Sequence, residues 1–369
     1  MRATTATIHI VEPGGWGGIY QHAAALAGVL AEAGAAVVLH TAADAEDVPL
    51  PDGVARRSCF WRLPAVRPRA LRRLAVATAW LGAGVPRCLA QVRSGDIVHV
   101  EGRLFPVLLV PLVVGARLRR CSVGFSPHTT FSRRLARSAG PADEPLVRWL
   151  ARYADVVFAF SDRDRAVMEG WGARPTRVPL VIGDWALRPE PRLVDGWRRR
   201  WHSTTGPGRP VVLFAGQVRP DKGLDLAVAA AARWRDAVLA VVGEDLGALA
   251  DAVDEAKRQG VELVVDEGYQ PLPELVAAAA AADVVICPYS AAGTSGVLAL
   301  ASALGRPTVA TDVGGSSELA TVTVPPGDPD ALAAAVDKVL WGDPCPSSPP
   351  RPVDVARTYL AAYGLTPSA

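Results

Sequence analysis

Two short stretches in the second half of the chain combine residue types that together hold an anion. The first, Gly216-Gln217-Val218-Arg219-Pro220-Asp221-Lys222-Gly223, follows the apolar run Val211 to Ala215, which reads as a buried strand. A helical pattern from Leu224 to Trp234 comes next. In the second, Val284 to Ile286 reads as a buried strand, Ser290 to Gly296 as a glycine turn, and Val297 to Leu304 as a helix. Gly305-Arg306-Pro307 stops that helix and Thr308 to Ala310 starts another strand. In a parallel sheet this order puts the turn at the carboxyl end of its strand, with the helix N-terminal N–H groups turned outward. Taken alone, Thr294, Ser295 and Gly296 could stand in an ordinary strand-to-helix connection. Two fixed cations at one strand mouth and a helix N-terminus at another, however, are what a diphosphate needs: point charge, forked hydrogen bonds and backbone donors. A Walker lysine motif and an acidic metal pair are both missing, which disfavours kinase and NTPase chemistry.

These loops need a frame. A chain of 369 residues is long for one core, so two domains are expected, and alternating strand and helix patterns predict α/β architecture. Thr7 to Val11 is predicted as the first strand, Gly14-Gly15-Trp16-Gly17-Gly18 as a glycine turn, Ile19 to Ala33 as a helix and Ala36 to His40 as a strand. The spacing is not that of the dinucleotide fingerprint, and no acidic residue ends the second strand. The arginine-rich residues 56–73 are expected as a loop leading into an exposed helix. Strands follow at Asp96 to Val100, Ser122 to Phe125 and Val156 to Phe160, with Arg177 to Gly183 as the last strand of the first domain. His128, directly after one of these strands in a polar loop, stands at the ligand edge of an open sheet or else satisfies loop backbone. Tyr269, after Gly268 at another strand end, could lie against a base or simply pack.

Composition excludes other classes. Half the residues are hydrophobic and the net charge is +2, so the chain is globular. The five cysteines are scattered without metal-ligand spacing, which suggests neither a disulfide framework nor a zinc site. The start of the chain lacks the apolar core of a signal peptide, and Leu104 to Ala116 is too short to span a bilayer, so a cytoplasmic protein is expected. Residues 1–183 carry 23 arginines against 14 acids, and the remainder 16 basic residues against 23 acids. The basic front half could attract an anionic acceptor or the inner face of a membrane, or be only a solvated face.

FAGQVRPDKGLD (Phe214–Asp225), VVGED (Val241–Asp245), AAGTSGVLALASALGRP and TDVGGSSE (Thr311–Glu318) together resemble the second domain of the retaining glycosyltransferases of family four. The GGWGG turn and the PHTTF loop add weaker matches in the first half. The resemblance implies the GT-B fold, two Rossmann-like doubly wound parallel-sheet domains facing across a cleft. The first, acceptor-side domain would span 1–183, a linker 184–209, and a nucleotide-sugar-binding domain 210–345. Residues 346–369 would be a proline-rich linker and a C-terminal helix crossing back to the first domain. The implied reaction moves a sugar from a nucleotide-diphosphate sugar to a hydroxyl acceptor, with retention and without a bound metal or other cofactor. The acceptor would be a polysaccharide, a lipid-linked precursor or a small secondary metabolite; no nucleic-acid partner is implied.

By this resemblance Arg219 and Lys222 hold the diphosphate and stabilise the leaving group, and His128 lies near the donor sugar and the acceptor. Gly15, Gly17, Gly18, Gly216, Gly293, Thr294, Ser295, Gly296 and Val297 approach the donor, with Glu244, Tyr269 and Glu318 on the nucleotide side. The family usually carries glutamates where Ala292 and Leu300 stand, the second holding the ribose, and an arginine where Gln217 stands. Their loss motivates an alternative, a catalytically silent GT-B protein that binds nucleotide or partners another transferase.

Overall fold

The computed structural model describes residues 6–61, 75–102, 106–128, 130, 143–206, 208–291, 293–342 and 352–366. It divides into two units, Met1–Gly183 with Arg351–Ala369, and Asp184–Pro350. In the first unit a seven-stranded parallel sheet runs in the order β3-β2-β1-β4-β5-β6-β7. Its strands are β1 (Thr7–Val11), β2 (Ala36–Ala42), β3 (Val54–Phe60), β4 (Ile97–Glu101), β5 (Ser122–Ser126), β6 (Val156–Ala159) and β7 (Pro175–Arg177). The central strands are β-branched runs because helices bury both faces of a parallel sheet. One such helix, Gly17–Glu32, follows β1, and the terminal helix Pro352–Ala362 packs against it.

Two expectations in this unit are corrected. Arg56 and Arg57 lie in β3 and not in a loop; their side chains are exposed while the main chain pairs with β2 and Cys59 and Phe60 are buried. Arg62, Arg67, Arg69, Arg72 and Arg73 lie outside the described residues. The last strand is Pro175–Arg177, and Arg177 to Gly183 does not continue it. Val178 still donates to the Ala159 carbonyl at 2.9 Å, but Pro179 has no N–H for a ladder.

The second unit holds a six-stranded parallel sheet in the order β10-β9-β8-β11-β12-β13. Its strands are β8 (Val211–Ala215), β9 (Val238–Gly243), β10 (Leu263–Glu267), β11 (Val284–Cys287), β12 (Thr308–Thr311) and the short β13 (Val322–Val324), which the sequence pattern did not suggest. The stretch 184–209, expected as a linker, contains the helix Pro191–Thr205. Trp197 and Trp201, one helical turn apart, are buried; their indoles donate to Glu274 Oε2 at 2.9 Å and Asp266 Oδ2 at 3.3 Å. The prolines and arginines around this pair obscured an apolar stripe that packs on the helix Leu272–Ala281. No helix among the described residues is long and apolar enough to cross a membrane.

If that helix is a working part of the second unit, Trp201→Ala costs about 3–5 kcal/mol of stability. Arg198→Ala, on the exposed face, stays within about 0.5 kcal/mol. Urea midpoints distinguish the two, and equal small effects would return the stretch to a linker.

Candidate functional site

In both sheets the strand order reverses once, between β8 and β11 and between β1 and β4. Loops leaving two such neighbours turn to opposite faces and leave a crevice at their carboxyl ends. In the second unit the loop after β8 is seated directly on the end of β11. Gly223 takes φ +69°, and a Cβ there would run into the Pro288 carbonyl. Ser290 N–H donates to the Asp221 carbonyl at 3.1 Å. Lys222 Nζ lies 3.7 Å from the centroid of the Tyr289 ring. The Tyr289 hydroxyl is 3.3 Å from Ser295 Oγ, and Ser295 Oγ accepts from Leu298 N–H at 3.2 Å, capping the helix Gly296–Ala303. A Cβ built on Gly216 would lie 3.4 Å from Val297 Cγ2, so Gly216 also borders that helix start.

The cations here are prearranged. Arg219 donates Nε to Asp221 Oδ1 at 2.9 Å, Nη2 to Asp221 Oδ2 at 2.8 Å and Nη1 to Gln217 Oε1 at 3.2 Å. Burial, and then the nearby Arg219 charge, bring the Lys222 ammonium down to about 8. The first amides of the helix Gly296–Ala303 have no acceptor within the helix, so its N-terminus adds partial positive charge to the same corner. The other nucleotide-side candidates leave the same sheet edge. Val218 N–H donates to the Glu244 carbonyl at 2.9 Å, Gly268 N–H to the Gly243 carbonyl at 2.9 Å beside the exposed Tyr269, and Glu318, itself exposed, ends the turn Ser316–Glu318 after β12. Asp245 is engaged as a cap, accepting three amides at 2.9, 3.1 and 3.1 Å. Leu300 is buried, which puts an apolar side chain where the family has a carboxylate; Ala292 lies outside the described residues. Tyr289, the bed of Lys222, escaped the sequence reading, and its one signal was an aromatic directly after a buried strand.

In the first unit the loop after β1 is held by the buried Glu12, which accepts from Gly14 N–H at 3.0 Å and Gly15 N–H at 2.7 Å. Burial raises its carboxyl to about 7, against the pull of those amides. The glycines differ in role. A Cβ on Gly15 would meet Ala42 Cβ at 2.8 Å, whereas nothing lies within 4 Å of one on Gly17 or Gly18. Gly15 is a packing position, and Gly17 and Gly18 are open.

β4 and β5 bring histidines around Glu101, a buried carboxylate. His99 Nε2–H donates to Glu101 Oε1 at 2.7 Å and His128 Nε2–H to Glu101 Oε2 at 2.5 Å. Burial would push this carboxyl up; His99, His128 and His22 outweigh it and hold it well below the usual carboxylate range. His22 Nδ1 accepts from Val181 N–H at 3.2 Å, and its Nε2, 3.8 Å from Glu101 Oε1, has no hydrogen-bond partner among the described residues. Burial holds His22 at about 4, so it is neutral near pH 7. His22, Glu101 and His128 offer ligand atoms within 4.8 Å of one another. His128 Nε2 and Glu101 Oε2, 2.5 Å apart, stand at hydrogen-bond distance. Two ligands of one zinc ion stand about 3.3 Å apart, given bonds of about 2.0 Å in a tetrahedron. The sequence reading gave Glu101 and His22 no role; Glu101 had the signal of directly following a predicted strand, and nothing in the local pattern marks His22.

The sequence matches the family model described as Glycosyl transferases group 1 over residues 209–341 and that described as Glycosyltransferase Family 4 over residues 16–181. It is similar to D-inositol 3-phosphate glycosyltransferase 1 of Catenulispora acidiphila, at 30% identity over 92% of this chain and 86% of the relative. To 2-deoxystreptamine glucosyltransferase of Streptomyces kanamyceticus it is 28% identical, over 77% and 78%. Among solved structures it resembles sucrose-phosphate synthase from Thermosynechococcus elongatus (TM-score 0.69, 17% identity, 98% of this chain and 95% of that one). It also resembles Anabaena HepE in complex with UDP and glucose (TM-score 0.67, 16% identity, 98% and 95%).

Seating of the two loops predicts that Gly223→Ala destabilises the chain by about 1–3 kcal/mol through left-handed strain and displacement of the β11 loop. Gly18→Ala, with open space and a helical position, is neutral or stabilising by up to about 1 kcal/mol. Denaturant midpoints of the two variants check this; a neutral Gly223→Ala would mean the loops are not seated on each other.

Proposed function

The chain belongs to the glycosyltransferases of family four with the GT-B fold, and on that premise we propose that it moves a sugar from a nucleotide-diphosphate donor to a hydroxyl of a small, ring-shaped polyol. Transfer proceeds with retention at the anomeric carbon and without a resident metal. One observation carries the reading: Arg219, Lys222 and the start of the helix Gly296–Ala303 are laced into a single corner at the strand-order reversal of the second unit. That corner suits a diphosphate. As the bond from the anomeric carbon to the diphosphate breaks, negative charge grows on the phosphate oxygens, and groups already fixed in place stabilise it without reorganising. Arg219 is held by Asp221 and Gln217, and Lys222 by the Tyr289 ring. Charge neutralisation thus comes from side chains and amides, the physical basis for assigning metal independence.

Gly293, Thr294, Ser295, Val297 and Gly216 are assigned to the donor. Glu244, Tyr269 and Glu318 are assigned to the nucleoside. With Leu300 apolar, the ribose hydroxyls are bound elsewhere than in the usual family arrangement. The edge of the first unit, with His128, Gly17 and Gly18, is assigned to the acceptor and donor sugar. Two relatives act, by their names, on 2-deoxystreptamine and D-inositol 3-phosphate, which favours a small polyol over a polysaccharide or lipid-linked acceptor.

UDP, GDP or dTDP is expected to raise the melting temperature, and Arg219→Ala with Lys222→Ala to abolish the shift and lower kcat/KM by about 10²–10³-fold. No shift with any of the three would sink the donor assignment. EDTA should leave turnover unchanged, and NMR of the product should show the donor's anomeric configuration.

Nucleotide affinity carries a pH signature. The protonated Lys222 binds the diphosphate, so affinity is highest below about pH 8 and declines above it. The limit is about tenfold per pH unit, the slope for losing one proton. Lys222→Arg removes this decline, which calorimetric titration across pH 7–10 would measure.

A further inference from the structure

Between the terminal helix and His128 runs an unbroken line of hydrogen bonds that the transfer chemistry above does not use. Tyr363, just past the helix Pro352–Ala362, contacts His99 Nδ1 through its hydroxyl; His99 Nε2 reaches Glu101 Oε1; Glu101 Oε2 reaches His128 Nε2. Every link lies within the first unit. We propose that Tyr363, His99 and Glu101 are positioning residues that fix the tautomer and orientation of His128, and that the terminal helix is thereby part of the acceptor site. The proposal rests on the assignment of His128 to that site.

Polarity along the line is set by its ends. Glu101, ionised, only accepts, so His99 and His128 must each turn an Nε2–H toward it. With that proton on Nε2, the free Nδ1 of His99 accepts, and the Tyr363 O–H is its donor. Burial lifts the Tyr363 phenol well above its usual value, so it keeps the proton it donates. The outcome at the far end is a His128 that carries its proton on Nε2 and offers Nδ1 as an acceptor for a substrate hydroxyl. Ser126 Oγ lies 2.9 Å from His99 Nε2, and Glu12, Tyr359 and His22 complete the titratable groups around Glu101.

Two backbone features show that the line is built in. His128 has φ 60°, a conformation that strains a non-glycine residue. It persists because the bond to Glu101 and the ring contacts to Phe160 at 4.6 Å and His22 at 5.0 Å hold it. Gly124 sits in the middle of the buried strand β5, where glycine is normally unfavourable. A Cβ there would collide with the Tyr363 hydroxyl and lie 2.6 Å from His99 Nδ1. The missing side chain is the opening through which Tyr363 reaches His99.

The test uses the full chain and two readouts. Imidazole nitrogen NMR of the wild type should show His128 protonated at Nε2. In Tyr363→Phe, which keeps the ring, and in Glu101→Gln, that signal should move toward a mixture of tautomers. Turnover should fall about 3–10-fold for Tyr363→Phe, the worth of one neutral hydrogen bond, and about 10–100-fold for Glu101→Gln, where an ion takes part. The pH profile of kcat should shift in both, while the UDP-induced thermal shift stays put. Gly124→Ala, which closes the opening from the other side, should reproduce the Tyr363→Phe phenotype. A wild-type His128 protonated at Nδ1, or unaltered tautomer, kcat and pH profile in folded Tyr363→Phe, would overturn the proposal. Tautomer changes as expected without any effect on transfer would instead overturn the placement of His128 in the acceptor site.

Discussion

The closeness of the Gly223 backbone to the Pro288 carbonyl underlies the whole second-unit corner. Parallel strands β8 and β11 are neighbours, and their outgoing loops must reach opposite faces of the sheet. Only where the backbone of one loop can lie on the other do Arg219 and Lys222 come to the start of the helix Gly296–Ala303. The Asp221 carbonyl then accepts from Ser290, and Lys222 finds the Tyr289 ring. A cation held on an aromatic face gives up water but not its charge, so it meets a diphosphate at less desolvation cost.

The first unit solves a different problem with the same topology. Here the strand-order reversal between β1 and β4 collects carboxylates, Glu12 and Glu101, in a buried setting. Two amides hold Glu12, and burial still lifts it to about 7. Imidazoles surround Glu101 and hold it ionised. The neighbours' chemistry, and not depth alone, decides which carboxylate stays charged. An ionised Glu101 is what orders the donors around it.

Much of the fold was legible in sequence. β1, β8 and β11 were visible as short, largely apolar runs followed by glycine-containing turns, because strands buried on both faces are predominantly apolar. Edges were less legible. β3 carries exposed arginines and β13 is three residues long, so neither shows a buried strand's pattern. The helix Pro191–Thr205 was hidden because its apolar stripe is two tryptophans among charged residues.

By itself the sequence determined the doubly wound plan, the glycine loops and the placement of Arg219, Lys222 and Thr294–Gly296 at strand mouths. Those are local facts, set by periodicity and by which residues can take positive φ. Only tertiary structure decided that Gly15 packs while Gly17 and Gly18 stand open, that Tyr289 carries Lys222, and that Glu101 joins Tyr363 to His128. Such contacts join strands far apart in the chain, and a side chain's charge and tautomer depend on what the fold sets within a few ångströms of it.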